Sequence, residues 1–488
     1  MMTTLKNLPP QSVWAHFATL CEIPRASLHE AALIAHLTEW AKARNIGAFV
    51  DEAGNLILKR AASPGCESQP GVILQGHLDM VCQVNSGTAH DFLRDPVGVV
   101  VRDGWVIAEN TTLGADNGIG VALALAALED ESLVHPAIEV LLTVNEESGM
   151  DGARGLVVGT LQGTALINLD TEEWGHFYLG CAGGVDVEVR HEGELAVIPA
   201  EYALVRFAVS GLRGGHSGID IHLGRGNAIK LLSEALRDLS AYADVRLISF
   251  EGGTARNAIP REAFAVCALP VEVAANIDEW VRHRHESWRT RFKDVDTGVT
   301  FACTYDDASP LMSVSPVSQV RLLAFMDIAA NGVSRVSDDF PGVTDTSSNL
   351  GVATLSDGQF KATFKVRSLQ DGRAIELSDK LVSLAQVYEF DAWQDGAYPG
   401  WTPNPSSSLL ALCQRVYTAE FGQPASLQVI HAGLECGLLA ASYPDLDMIS
   451  FGPDIRGAHA PGERVEIESV ARCWQLLKAV LLALAEAR

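Results

Sequence analysis

At 488 residues, 48% of them apolar and 20% charged, the chain is long enough for two or three domains with ordinary folded cores. A formal net charge of −25 argues against nucleic acid and anionic membrane as partners, since both need basic surface. The same charge fits an enzyme that concentrates cations, or simple solubility. Nine cysteines, an odd number with no C-x-x-C, argue against a disulfide framework and a Cys-rich zinc knuckle.

The opening stretch, "MMTTLKNLPPQSVWAHF", has neither a continuous apolar segment nor a small-residue cleavage pattern, so it does not read as a signal peptide. No apolar run reaches membrane-spanning length, and a cytoplasmic location is expected. Helical spacing covers residues near 11–21 and 28–44, with Leu33, Ile34, Leu37 and Trp40 on one stripe. Two strands flank the turn signal "DEAGN", and a third runs through Val72-Ile73-Leu74 into His77. "VVRDGWVIA" predicts a hairpin at Asp103-Gly104. "ADNGIGVALALAALED" predicts an apolar helix, and "AIEVLLTV" and "ALINLD" predict strands. This alternation indicates an α/β sheet covered on both faces.

After about residue 184 the texture changes. "EYALVRFAVSGL" and "REAFAVCALPV" are longer alternating strands, with helices near 226–240 and 274–293, which reads as α+β. From about 395, Gly/Pro-rich loops such as "DGAYPGWTPNPSSS" lead to a helix, a strand, "HAGLECG", another strand and a final helix. That last segment is too short to stand alone. The expected division is therefore a first domain of 1–183 completed by 395–488, with 184–394 inserted.

Candidate ligands gather at the ends of the predicted strands. In a strand, His77 and Asp79 point to one face, and the aspartate can orient the imidazole of a metal ligand. Taken alone, His-x-Asp is common. Asp116 alone reads as a helix N-cap, and "TTLGADNGIG" is no phosphate loop because no Gly-Lys-Ser/Thr follows. Glu146 and Glu147, as neighbours in an extended chain, would face different sides. Asp170 ends an apolar strand, where an unpaired carboxylate is costly to bury. His459 alone is an ordinary loop histidine. As a set, two histidines with Asp116, Glu147 and Asp170 suit Zn²⁺ or a similar ion. Three carboxylates can neutralise most of the charge of two divalent ions, with one of them bridging.

The stretches "GHLDM", "TTLGADNGIG", "NEESGMDG", "NLDTEE" and "GAHAPGE", in this order, resemble the dinuclear-zinc exopeptidases, the family that includes carnosinase, peptidase T and carboxypeptidase G2. "CAGG", "GLRGGHSG", "GGTARNAIPREAF", "GAYPGW" and "IHAGLECGL" are similar to its aminoacyl-histidine (Xaa-His) dipeptidase subgroup. The resemblance spans nearly the whole chain and is weakest over about 270–330.

The resemblance implies a mixed-sheet α/β catalytic domain with an inserted α+β lid domain. It implies two divalent metal ions, zinc first, with cobalt or manganese able to substitute. His77 and Asp170 would hold one ion, Glu147 and His459 the other, and Asp116 would bridge them across a cis Asp116–Asn117 peptide. Asp79 would orient His77, and Glu146 would be the general base. His216 would stabilise the oxyanion. Asn257 and Arg367 would hold the substrate, Arg367 gripping its terminal carboxylate. Gly433, Glu435 and Gly437 would offer backbone amides at the same end. Substrates would be small dipeptides. Many relatives lend the lid histidine to a partner subunit. Here the insertion is nearly double a short lid's length, so a homodimer would not be essential to complete the site. The rival readings are another amidohydrolase of this fold, such as an N-acyl amino acid deacylase, and a non-catalytic binding protein, which an intact Glu146 and ligand set disfavour.

Overall fold

A computed structural model describes residues 5–306, 312–338 and 340–486. The chain forms two units. The first comprises Met1–Gly180, Trp401–Val429 and Leu434–Arg488, and the second Cys181–Gly400 and Ile430–Gly433.

The first unit is built on an eight-stranded sheet in the order Gly47–Val50, Leu56–Arg60, Ile138–Thr143, Val72–His77, Ala165–Asn168, Asp447–Ser450, His176–Cys181, Ser426–Ile430. The four strands from Ile138–Thr143 to Asp447–Ser450 in that order run parallel. Leu56–Arg60 and Gly47–Val50 are added antiparallel at one edge. Every residue of Val72–His77 and Ile138–Thr143 is buried. That fits the consecutive apolar residues Val72-Ile73-Leu74 and Val140-Leu141-Leu142 in them, because strands covered on both faces need no polar alternation. The helix Ala115–Glu129 is apolar nearly all round and packs between Val72–His77 and Gln11–Glu22. Gly120 lets this helix come close to the chain just after Ala165–Asn168, since a β-carbon there would run into the Leu169 carbonyl. Asp103 and Gly104 both adopt positive φ and close the antiparallel hairpin Val100–Arg102/Trp105–Ile107, as a two-residue turn requires. No helix among the described residues is long and apolar enough to cross a membrane.

The second unit carries a nine-stranded sheet. Its main order is Thr300–Asp306, Tyr202–Ser210, Ala263–Pro270, Arg246–Gly252, Thr344–Ser356, Gln359–Ser368, Gly183–Glu192, Asp391–Tyr398, and Gly332–Val336 pairs with Thr344–Ser356. The apolar stripe of Ala228–Ser240 joins Phe207 and Phe250 in one core. That helix starts where the Asn227 side chain accepts the N–H groups of Ile229 and Lys230.

Two details differ from the sequence reading. "DGAY" is not a loop: Asp391–Tyr398 is an edge strand paired antiparallel with Gly183–Glu192. The border expected at 394/395 therefore falls inside a strand, and the chain leaves the second unit at Gly400. Gly396, at positive φ, sits where the register shifts between Asp395 and Tyr398, so its signal marks a bulge rather than the end of the sheet.

Candidate metal centre and substrate-side cluster

In the first unit, strand ends and the loops beyond them bring seven side chains together. His77 closes Val72–His77, and Asp170 follows Ala165–Asn168. Asp116 lies just after Gly114, which takes a left-handed conformation; the Asp116–Asn117 bond is cis. His459 comes from a late loop, also at positive φ.

The central feature is the Asp116 carboxylate. Its Oδ1 lies 3.2 Å from His77 Nε2 and its Oδ2 lies 3.2 Å from His459 Nε2. His77 Nε2 also lies 3.4 Å from Asp170, and His459 Nε2 lies 3.1 Å from Glu147. Two ligand trios result, His77–Asp116–Asp170 and Asp116–Glu147–His459, with the donor atoms of each trio within 4.8 Å of one another. Asp116 belongs to both. A third group of His77, Glu146 and Glu147 places Glu146 beside them.

The electrostatics suit cations. Burial disfavours the charged form of His77, yet Asp170, Asp116 and Asp79 hold its pKa well above the usual histidine range. Hydrogen bonds to Asp116 and Glu147 raise His459 to about 11. Burial pushes Asp170 and Glu146 well above ordinary carboxylates, and neighbouring carboxylates add to the shift. One buried oxygen of Glu147 has no hydrogen-bond partner among the described residues. Three carboxylates and two imidazoles at this density fit a pair of divalent ions.

The Asp79 carboxylate lies 3.4 Å from His77 Nδ1. Its two oxygens accept the backbone N–H groups of Glu146 (3.0 Å) and Glu147 (3.2 Å), and the Ser27 hydroxyl adds a 2.7 Å bond. Glu146 and Glu147 are not in extended chain, as the sequence reading assumed. They open a one-turn helix, Glu146–Gly149, after Asn145 in the left-handed region. Adjacent helical residues project about 100° apart, yet an oxygen of each carboxylate lies within 4.8 Å of one of the other.

The second unit holds its own cluster. Arg367 is buried, donating to the Tyr398 hydroxyl at 2.6 Å and lying 3.4 Å from His216 Nε2. His216 Nδ1 accepts the N–H groups of Gly218 and Ile219, which leaves the proton of the neutral ring on Nε2. Burial, with help from Arg367, lowers His216 to about 4. The loop of Asn257 pairs with that of His216 through a Ser217 N–H to Asn257 carbonyl bond of 2.8 Å. Sequence reasoning gave no role to Tyr398, or to His431, which bonds Ser347 at 2.8 Å and is lowered by burial and Arg367 to about 3. Both stand in quoted stretches, "GAYPGW" and "IHAGLECGL", and that was the available signal.

The stretch 433–437 leads into the helix Glu435–Ser442. The Glu435 carboxylate is fully buried: its Oε2 accepts from the Gln75 amide and the Thr143 hydroxyl, each at 2.6 Å, and its buried Oε1 has no hydrogen-bond partner among the described residues. The Gly437 N–H donates to the Leu434 carbonyl in the first turn of Glu435–Ser442. Of the three backbone amides expected at this end, that of Gly437 is thus already engaged within the chain.

Residues 73–483 match the model of peptidase family M20/M25/M40. The chain is 42% identical over 482 residues to the cytosol non-specific dipeptidase of Escherichia coli, covering 98% of this chain and 99% of that protein. The crystal structure of aminoacylhistidine dipeptidase from Vibrio alginolyticus is similar, with a TM-score of 0.89 and 40% identity over 98% of this chain and 97% of that one. The aminopeptidase PepT of Bacillus cereus shares the fold, with a TM-score of 0.56 and 15% identity, covering 98% of this chain and 100% of that one.

Proposed function

The chain belongs to peptidase family M20/M25/M40 and is a metallopeptidase of dipeptides, and we propose that it cleaves unblocked dipeptides, Xaa-His among them. The observation that carries this reading is Asp116, whose two oxygens address two different histidines. His77 and Asp170 would hold one ion, Glu147 and His459 the other, and Asp116 would bridge; zinc suits this donor set, with cobalt or manganese as substitutes. Bound divalent ions supply Lewis acidity toward the scissile carbonyl and toward water.

The remaining chemistry belongs to the chain. Glu146 takes the proton of the attacking water and returns it to the leaving amine. Its raised pKa brings it toward the range of a base working near neutrality. His216, neutral and protonated on Nε2, donates to the carbonyl oxygen as it becomes anionic. Arg367 grips the substrate's terminal carboxylate, and Asn257 holds the substrate beside it. We place this activity in the cytoplasm, without nucleic acid or membrane as partners. A homodimer is not needed if His216 serves its own chain.

The test is a substrate panel on chelator-treated protein reloaded with Zn²⁺: carnosine, Gly-His, Leu-Gly and N-acetyl amino acids. Cleavage of Gly-His and carnosine supports the reading. Turnover confined to N-acetyl amino acids would make the protein a deacylase, and no turnover at all would leave only a binding role.

A further inference from the structure

Behind the metal ligands lie two buried charges that the mechanism does not use, Arg25 and Glu463, each only 2% exposed. They come from opposite ends of the sequence and meet the same four-residue segment. Glu463 accepts four consecutive backbone N–H groups. One oxygen takes those of Leu113 (2.7 Å) and Gly114 (2.9 Å), and the other takes those of Ala115 (2.8 Å) and Asp116 (3.2 Å). Arg25 approaches that segment through its carbonyl, donating to Gly114 O at 2.5 Å. Its other terminal nitrogen donates to the carbonyls of Leu78 (2.9 Å) and Asp79 (3.0 Å). The Asp79 carbonyl lies 3.2 Å from His77 Nδ1.

A lone buried carboxylate or guanidinium is costly, so each needs a full set of partners. Here both oxygens of Glu463 and both terminal nitrogens of Arg25 find theirs on the backbone that carries Asp116 and His77, and only the buried Arg25 Nε is left without a partner among the described residues. Four convergent donors require two acceptor oxygens, which only an ionised carboxylate supplies at this size. An amide would turn an N–H₂ toward two of the donors. Gly114 completes the clamp, since a β-carbon there would run into the Arg25 guanidinium.

We propose that Glu463 and Arg25 are positioning residues that fix Asp116, from the N–H side and the carbonyl side of its loop, so that its two oxygens stay divided between the two ion sites. The proposal rests on the reading of Asp116 as the shared ligand. Glu463 follows His459 by four residues in one loop, so the same segment supplies a ligand to one ion and the brace for the ligand common to both.

Glu463→Gln, Glu463→Asp, Arg25→Lys and, as a control, Asp116→Asn are prepared metal-free and titrated with Co²⁺. Calorimetry, the visible Co²⁺ spectrum, the thermal midpoint and kinetics of the reloaded enzyme are recorded. Glu463→Gln should weaken binding of at least one ion by about 10–100-fold, the usual cost of losing a group that orients a ligand. The Co²⁺ bands should shift, kcat should fall with little change in KM, and Glu463→Asp should recover part of each effect. If Glu463→Gln does not fold, Arg25→Lys keeps the charge, removes the forked donors and carries the same readouts. Wild-type affinity and an unchanged Co²⁺ spectrum, with only the thermal midpoint lowered, would reduce the pair to packing and overturn the proposal. Normal binding of both ions by Asp116→Asn would instead overturn the shared-ligand reading beneath it.

Discussion

Glu146 and Glu147 share a peptide bond yet are assigned different work, and substitution separates them. Glu146→Gln keeps the shape and removes the proton acceptor. Metal content should stay at the wild-type level while turnover falls by about 10²–10⁴-fold, the range for a lost general base. Glu147→Gln removes the carboxylate proposed as a ligand beside His459, so metal content should fall and excess metal should restore part of the rate. Measuring metal stoichiometry and turnover on both variants decides the matter; the opposite pattern would exchange the roles. The candidate ligands stood out in the sequence because each is an acidic residue or histidine at a strand end or in a short glycine-containing loop. The backbone around them did not. Extended chain was assumed at "NEESG", but Asp79 accepts both glutamate N–H groups and Asn145 turns left-handed, which starts a helix. Arg25 and Glu463 were silent for the same reason: their partners are main-chain groups, which no residue pattern announces.

Among the elements, the buried parallel strands were the most readable, since short apolar runs such as Val72-Ile73-Leu74 and Val140-Leu141-Leu142, followed by polar residues, show both the strand and its carboxyl end. The least readable was Asp391–Tyr398, whose glycine and following proline mimic a loop while its hydrogen bonds extend a sheet. That edge strand brings Tyr398 to Arg367 on the neighbouring part of the same sheet. Arg367 lies between Tyr398, Ser217 and His216 with no carboxylate among those contacts, which leaves its charge for an anionic ligand. Amidating the C-terminus of a good dipeptide substrate should therefore lower kcat/KM by the equivalent of about 2–5 kcal/mol, typical for one lost partner of a desolvated charge pair. Changing the N-terminal side chain should cost far less. An amidated dipeptide cleaved as fast as the free acid would assign Arg367 to another task.

For the molecule as a whole, metal occupancy and proton occupancy compete for the same atoms, and this gives a pH dependence of definite sign. Dialysis against a strong chelator should abolish hydrolysis, and Zn²⁺, Co²⁺ or Mn²⁺ should restore it. In the metal-free protein the hydrogen bonds to Asp116 and Glu147 raise His459 from 6.5 to about 11, and Asp170, Asp116 and Asp79 raise His77 despite its burial. A raised folded-state pKa contributes stability that is complete below the unfolded pKa and is lost as pH climbs through the folded one. The metal-free protein should therefore lose thermal stability steadily between pH 7 and 9, inside that window. Bound metal requires both imidazoles unprotonated, so ion affinity should rise over the same interval and fall away in acid. Thermal midpoints with chelator and with saturating Zn²⁺ should diverge as pH increases. His459→Asn, which cannot take up the proton, should flatten the metal-free slope. Parallel midpoints at all pH values would mean that His77 and His459 do not exchange protons for metal, and the two-ion assignment would fall with them.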